Sequence, residues 1–178
     1  TQTVPIHQPT SSHPPEIYVL GDSLSAGLGG QTWPKLYEQR YGTKVINLAK
    51  AGATAADMIA PARTIPSDPE QLVIVEIGGN DLLGGRTAAA YGADLLTILD
   101  LLKGHRVVLL EIPLIPLCEE FGRQQRRAVR DHPVIWVPKR HFAAVLTGSD
   151  ATSDGLHLSP TGASRMADLI HTVIKDGT

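Results

Sequence analysis

Three short segments of the chain are almost continuously apolar, and they limit the possible folds more than any other feature. They are Leu72–Ile77, Val107–Ile112 and Val134–Val137. A strand that faces solvent on one side alternates apolar and polar residues, whereas a strand buried on both faces does not. Two more β-rich segments, Ile17–Leu20 and Lys44–Leu48, precede them. The five segments together predict the strands of a parallel sheet that is covered on both faces.

Helix-like stretches separate the predicted strands. Thr87–Lys103 carries leucine and isoleucine at near-helical spacing, and Phe121–Asp131 is strongly basic and predicts a solvated helix. In the last stretch Ser159 is a good N-cap, and Pro160 suits the first position of a helix. Repeated strand–helix units build a doubly wound sheet. The predicted fold is α/β, a three-layer, flavodoxin-like sheet of about five parallel strands with helices on both faces.

The length of 178 residues corresponds to about one domain. We expect a single domain over residues 17–178, behind a flexible N-terminal tether over residues 1–16. That tether is rich in proline, serine and threonine and has no apolar period. The segment is either a spacer behind a removed leader or membrane anchor, or a disordered terminus of no consequence. We expect a periplasmic or secreted protein whose leader has been removed, in preference to a cytoplasmic one.

Composition excludes several classes of function. The net charge of −2 argues against the basic footprint that nucleic-acid binding requires. A single cysteine, Cys118, excludes an internal disulfide and a cysteine-rich zinc site. The apolar runs are far shorter than the ~20 residues of a membrane span. We therefore expect no nucleic-acid partner and no transmembrane segment, and the sequence leaves the oligomeric state open.

Four polar or glycine-rich loops follow the predicted elements. They are Gly21–Gly27, Ala51–Thr54, Gly78–Asp81 and Ser153–Leu158. In a parallel sheet the carboxyl ends of the strands meet at one edge, and ligands bind there. The loops are therefore expected to converge on a single site.

The residues in these loops predict nucleophilic catalysis. Ser23 lies at a strand-to-helix turn, and a serine hydroxyl becomes a nucleophile when a base takes its proton. His157 is the candidate base, and Asp154 can orient its ring. An oxyanion then needs preorganised donors, for which the candidates are the N–H groups of Ser23 and Gly52 and the side-chain amide of Asn80.

Two other interpretations of the same loops remain open. Asp154 and His157 are also possible metal ligands, with Asp22 and Asp81 as the other acidic residues of the loops. Alternatively, the fold is a non-catalytic, flavodoxin-like binding module in which Ser23 and its neighbours Ser25 and Gly27 hold a phosphate. The triad interpretation is favoured because all the pieces occur in one order at the ends of successive elements.

Four motifs in this order resemble the signature blocks of the SGNH hydrolases, also called GDSL esterases and lipases. They are Gly21-Asp22-Ser23-Leu24, the single glycine Gly52, Gly78-Gly79-Asn80-Asp81 and Asp154-Gly155-Leu156-His157. The stretch Glu76–Asp81 looks most like the bacterial thioesterase, lysophospholipase and arylesterase branch.

The resemblance implies Ser23, Asp154 and His157 as a catalytic triad, with Ser23, Gly52 and Asn80 as the oxyanion hole. It implies a serine esterase that hydrolyses short- to medium-chain acyl esters or thioesters through an acyl-enzyme, with a small-molecule ester as its partner. No cofactor and no metal are expected. An O-acetyl esterase acting on a sugar or cell-wall polymer is the alternative within the same class.

Other residues receive supporting roles. Leu114, Ile115 and Leu117 are expected to form an apolar wall for the substrate, or else to pack under the next helix. Asp22 and Asp81 are expected to brace their loops. Ser25 is expected to cap a helix start, with a hydrogen bond near the nucleophile as the alternative. The histidines outside the loops are expected at the surface or in the tether: His7, His13, His105, His132, His141 and His171.

Overall fold

The computed structural model describes residues 15–28, 30–113 and 119–176. Within them five strands form one parallel sheet in the order β2-β1-β3-β4-β5. This is the strand order of a flavodoxin-like fold, so the predicted architecture is confirmed. The strands are β1 (Ile17–Gly21), β2 (Val45–Asn47), β3 (Leu72–Glu76), β4 (Arg106–Leu110) and β5 (Val134–Val137).

Eight α-helices accompany the strands in the described part of the chain. They are α1 (Ser23–Ala26), α2 (Trp33–Tyr41), α3 (Ala55–Ala62), α4 (Gly79–Leu83), α5 (Ala88–Leu101), α6 (Glu119–Ala128), α7 (Lys139–Thr147) and α8 (Pro160–Asp176). As predicted, Ser159 precedes α8 and its hydroxyl accepts a hydrogen bond from the N–H of Gly162 at 3.1 Å. None of these helices is both long and apolar enough to cross a membrane.

The sheet separates two apolar cores. On one face α3, α5 and α6 cover it, with Met58, Tyr91 and Phe121 among the buried residues. On the other face α2, α7 and α8 cover it, with Trp33 and Met166 in the core. Burying a large apolar side chain contributes roughly 1.5–3 kcal/mol, so both layers are needed to hold the central strands. The central strand β3 is buried along its whole length, as its almost continuously apolar sequence predicts.

The basic helix differs from the prediction. A short 3₁₀ turn, Val129–Asp131, continues α6, so the helical segment has the predicted extent. The helix is not solvated all round, because Phe121, Gln125 and Ala128 are buried. Its arginines lie on the opposite face, where Arg126 pairs with Glu111 at 2.8 Å.

His132 was expected at the surface, and that prediction is wrong. Its ring is buried, with Nδ1 lying 2.8 Å from the carbonyl oxygen of Ala128 and Nε2 lying 3.0 Å from Asp100 Oδ1. The 3₁₀ turn folds the chain back, so the ring meets a carbonyl at the end of α6 that has no partner within the helix.

The start of the sheet involves Glu16, the last residue of the predicted tether. Its N–H donates to the side chain of Gln71 at 2.7 Å, and its carbonyl accepts from Leu72 at 3.1 Å. Residues 1–14 lie outside the described residues, so the tether stays a prediction there.

Candidate active site

The turn between β1 and α1 presents Ser23 as the first residue of a short helix. Asp22 caps this helix, because its Oδ1 accepts from the N–H of Leu24 at 3.0 Å. The N–H of Gly27 donates to the carbonyl of Ser23 at 2.8 Å and closes the turn. Asp22 therefore braces the loop, as predicted, and Ser23 sits half-buried at the carboxyl edge of the sheet.

A buried hydrogen-bond chain lies beneath this turn. The Ser25 hydroxyl donates to Glu76 Oε2 at 2.8 Å and accepts from the indole Nε1 of Trp33 at 3.1 Å. The side chain of Asn47 donates to the Ser25 carbonyl at 2.9 Å. The expectation that Ser25 caps the helix is wrong, because Asp22 occupies the cap. The alternative, a hydrogen bond near the nucleophile, is what the structure has.

Two buried carboxyl groups share this region. Burial raises the pKa of Asp22 to about 6, and the charge of Asp81 adds to the rise, while the Leu24 N–H and His157 oppose it. Burial also raises the pKa of Glu76 well above its usual range, and the charge of Asp22 raises it further. Burial therefore favours the protonated form of the Glu76 carboxyl. The sequence signal for it was a single acidic residue at the end of an otherwise apolar strand.

Asn80 and its neighbour join two of the loops. Asn80 Nδ2 donates to the carbonyl of Ala53 at 3.0 Å, and the amide group has a second hydrogen to offer. The buried carboxylate of Asp81 accepts from the N–H of Ala55 at 2.9 Å and pairs with Arg86 at 2.6 Å. Asp81 braces its loop, as predicted, and the Gly52 loop and the Asn80 loop are fixed to each other.

Glycine is required at two positions of these loops. Gly52 has a φ of +77°, which side chains rarely tolerate. Gly78 has a φ of +126°, and an added Cβ would lie 2.6 Å from Ile112 Cδ1 and 2.8 Å from Tyr91 Cε2. The backbone therefore places the Asn80 turn directly against the core.

Asp154 and His157 form a compact pair in the loop before α8. Asp154 Oδ2 lies 2.6 Å from His157 Nδ1, and Oδ1 accepts from the N–H groups of His157 at 2.7 Å and Leu156 at 3.0 Å. These hydrogen bonds hold the pKa of the Asp154 carboxyl well below its usual range. With Nδ1 on the carboxylate, Nε2 is the ring nitrogen left to exchange a proton.

Two pockets meet at Ser23. The first, called here the apolar pocket, is lined by Ser23, Asn80 and a set of apolar side chains that includes Leu82 and Leu83. It encloses about 720 Å³, open mouth included. The second, called here the His157 pocket, is lined by Ser23, His157, Thr32 and others. The pockets thus bring Ser23 together with Asn80 on one side and with His157 on the other, whereas Gly52 and Asp154 line neither of these two pockets.

The predicted apolar wall lies outside the described residues, since Leu114, Ile115 and Leu117 all fall between residues 113 and 119. Pro113, which begins the same loop, does line the apolar pocket. The sequence reasoning missed four leucines that also line it: Leu82, Leu83, Leu146 and Leu156. The available signal was that Leu82, Leu83 and Leu156 lie within or beside the polar motifs.

The metal interpretation finds no ligand cluster. Over residues 15–28, 30–113 and 119–176, no group of three or more His, Cys, Asp or Glu side chains is arranged to hold a metal ion.

A serine at a strand-to-helix turn, an Asp–His pair and an asparagine amide at one edge of a parallel sheet define a serine hydrolase of the α/β class. The chain belongs to the GDSL-like lipase/acylhydrolase family, whose model matches residues 19–165. The resemblance that the four motifs indicated is confirmed. The chain is a carboxylic ester hydrolase of the serine type, not a binding module.

Individual relatives agree with this assignment. The chain is 29% identical over 178 residues to Esterase TesA of Pseudomonas aeruginosa, covering 89% of this chain and 87% of the relative. It is 26% identical over 174 residues to an arylesterase of Vibrio mimicus, covering 87% and 86%. The crystal structure of the psychrotrophic esterase EstA from Pseudoalteromonas sp. shares the fold, with a TM-score of 0.77, 22% identity and coverage of 90% and 97%.

Proposed function

We propose that Ser23 is the nucleophile of the esterase and that His157 and Asp154 activate it. The observation that carries this proposal is the position of Ser23 between the two pockets, one containing Asn80 and the other containing His157. His157 Nε2 takes the Ser23 proton as the hydroxyl attacks the ester carbonyl. Asp154 holds the ring by Nδ1 and stabilises its charged form.

The negative charge of the tetrahedral intermediate falls on the former carbonyl oxygen. We assign its stabilisation to the N–H groups of Ser23 and Gly52 and to the free amide hydrogen of Asn80. The bonds that link the Asn80 loop to Ala53 and Ala55 support this role, because donors fixed in advance need no reorganisation during the reaction. Collapse expels the alcohol with the proton from His157, and water then hydrolyses the acyl-enzyme.

The proposed substrates are short- to medium-chain acyl esters. The apolar pocket supports this choice, because it adjoins Ser23 and Asn80 and most of the residues that line it are apolar. Leu82, Leu83 and Leu146 give it the walls that a hydrocarbon chain prefers. The same observation disfavours the deacetylase alternative. The names of the relatives, an esterase and an arylesterase, favour oxygen esters over thioesters.

The test of the nucleophile is covalent labelling. A fluorophosphonate should give a single adduct on Ser23, found by mass spectrometry of peptides, and Ser23→Ala should abolish both adduct and activity while keeping the parent Tm. Ser149→Ala, at an exposed serine away from both pockets, is the matched control and should label normally. An adduct on another residue would contradict the assignment.

The substrate class is tested with p-nitrophenyl esters from acetate to palmitate, beside an acetylated xylan. We expect kcat/KM to rise from acetate to the butyrate–octanoate range and to fall by palmitate. The highest kcat/KM on acetate or on the xylan would favour the deacetylase.

A further inference from the structure

The two pockets at Ser23 occupy different positions relative to the reacting groups. The apolar pocket contains Asn80, and the His157 pocket contains the proposed general acid. In ester cleavage the carbonyl oxygen turns toward the oxyanion donors, whereas the leaving oxygen must lie beside the imidazole that protonates it. The alcohol half of the ester is therefore directed into the His157 pocket, and the acyl half is left for the apolar pocket.

The two pockets also differ in chemistry. Besides Ser23 and His157, the His157 pocket is lined by Gln31, Thr32 and Ser153, whose side chains can form hydrogen bonds, together with apolar residues such as Leu28 and Leu158. The apolar pocket takes most of its lining from leucine, isoleucine and phenylalanine side chains. A polar pocket discriminates in favour of a ligand that replaces the hydrogen bonds it loses to water.

Thr32 has a hydroxyl that its own helix does not use. It is the N-cap residue of α2, yet its side chain makes no capping hydrogen bond. Its methyl group is held against Gly27, since a Cβ added to that glycine would lie 2.5 Å from Thr32 Cγ2. The methyl group thus packs beside Gly27, and Thr32 is one of the residues that line the pocket.

We propose that the His157 pocket binds the alcohol half of the ester, and that it selects alcohols with a free hydroxyl, of the glycerol type, through the hydroxyl of Thr32. This inference rests on the proposed function, because it takes His157 as the group that protonates the leaving oxygen. It makes Thr32 a specificity-determining residue for the alcohol and gives it no part in acyl recognition.

The reaction confines the effect to one step. In acylation, the bond from the carbonyl carbon to the alcohol oxygen breaks as the bond to Ser23 Oγ forms, and His157 passes the Ser23 proton to the departing alkoxide. Deacylation by water starts from an acyl-enzyme that no longer holds the alcohol. The Thr32 hydroxyl therefore acts on kcat/KM, which includes acylation, and leaves the rate of deacylation unchanged.

The test compares two butyrate esters that differ only in the alcohol, 2,3-dihydroxypropyl butyrate and propyl butyrate. Thr32→Val keeps the methyl group against Gly27 and removes the hydroxyl, without loss of a capping bond. Losing one neutral hydrogen bond should lower kcat/KM for the dihydroxypropyl ester by roughly three- to tenfold. The value for propyl butyrate should change by less than a factor of about two, within the scatter of a neutral substitution.

The control variant is Leu83→Ala in the apolar pocket. It should alter the preference between butyrate and octanoate esters and leave the ratio of the two alcohols as in the parent. A second readout adds glycerol or 1-propanol to the butyryl-enzyme as competing acceptors. Thr32→Val should reduce transfer to glycerol relative to 1-propanol, because the acceptor occupies the same pocket in reverse.

Equal losses on both esters, or a change in chain-length preference with Thr32→Val, would overturn the proposal. Failure of the proposed function is separate, because it would appear as loss of fluorophosphonate labelling at Ser23. Normal labelling of Thr32→Val with an unchanged alcohol ratio would refute the alcohol pocket alone.

Discussion

Replacing Glu76 by glutamine should stabilise the protein, and the gain should grow with pH. Glutamine has the shape of the neutral acid and keeps an oxygen for the Ser25 hydroxyl. In the folded parent chain the protonated carboxyl is favoured, because burial raises the pKa of Glu76 well above its usual range. The unfolded chain ionises the same group near its ordinary pKa of about 4.3.

The sign and size of the pH effect on stability follow from proton linkage. Between the ordinary and the raised pKa the folded state binds one proton more than the unfolded state, so the parent loses stability as pH rises. The loss is about 1.4 kcal/mol for each pH unit. For a domain of this size that corresponds to roughly 3–6 °C in Tm per pH unit. Glu76→Gln removes this titration, while Asp22, whose pKa burial raises to about 6 in the parent, remains in both proteins.

The assay is thermal unfolding of parent and variant at several pH values between 4.5 and 8 at fixed ionic strength. The gap in Tm should widen steadily across that range. Glu119→Gln, at an exposed residue of α6, is the control and should give a flat difference. A Tm difference between the two proteins that stays constant with pH would refute the raised pKa of Glu76. It would also contradict the description of Asp22 and Glu76 as an interacting buried pair.

Two further predictions concern the Asn80 turn. Asn80→Ala removes one oxyanion donor, so kcat for p-nitrophenyl butyrate should fall by roughly 10²–10³ with KM nearly unchanged; a raised KM with normal kcat would make Asn80 a substrate-binding residue instead. Gly78→Ala places a methyl group 2.6 Å from a core side chain at positive φ, and should lower the free energy of unfolding by roughly 2–4 kcal/mol. Gly104→Ala, with positive φ but no atom within 4 Å, is the control for φ strain alone and should cost about 1 kcal/mol. Equal losses in the two glycine variants, measured by denaturant unfolding, would contradict the crowding argument.

The sheet was predictable because its signal is local. A strand buried on both faces needs apolar residues almost throughout, and Leu72–Glu76 shows this in the sequence itself. Val134–Val137 is equally apolar, but it forms an edge strand and three of its four residues are only partly buried, so burial on both faces was wrongly predicted there. The site was predictable for a related reason, since strand ends are where a parallel sheet binds its ligands. Knowing where β1 and β3 end was enough to bring Ser23 and Asn80 to one edge.

What the sequence did not show depends on contacts between distant residues. Ser25 precedes Glu76 by 51 positions, and only the pairing of β1 with β3 brings them within 2.8 Å. His132 looks like a surface residue until the 3₁₀ turn places it on the end of α6. The leucines of the apolar pocket likewise come from five separate segments, so no single window of sequence contains the pocket.

The Asp154–His157 loop is tied together almost entirely by its own residues. The Asp154 carboxylate accepts hydrogen bonds from the N–H groups of Leu156 and His157 and contacts the His157 ring. An antiparallel bridge between Thr152 and Leu158 closes the loop. The contacts that set the geometry of the Asp154–His157 pair therefore lie within seven consecutive residues, 152–158.

The distance from this loop to Ser23 depends on contacts outside residues 152–158. Gly162, in the first turn of α8, packs so closely on the carbonyl of Ala151 that an added Cβ would lie 1.9 Å from its oxygen. The packing of α8 on the sheet therefore sets the distance between the proposed base, His157, and the proposed nucleophile, Ser23. We expect substitutions in α8 that alter this packing to change turnover without replacing any of the proposed catalytic side chains.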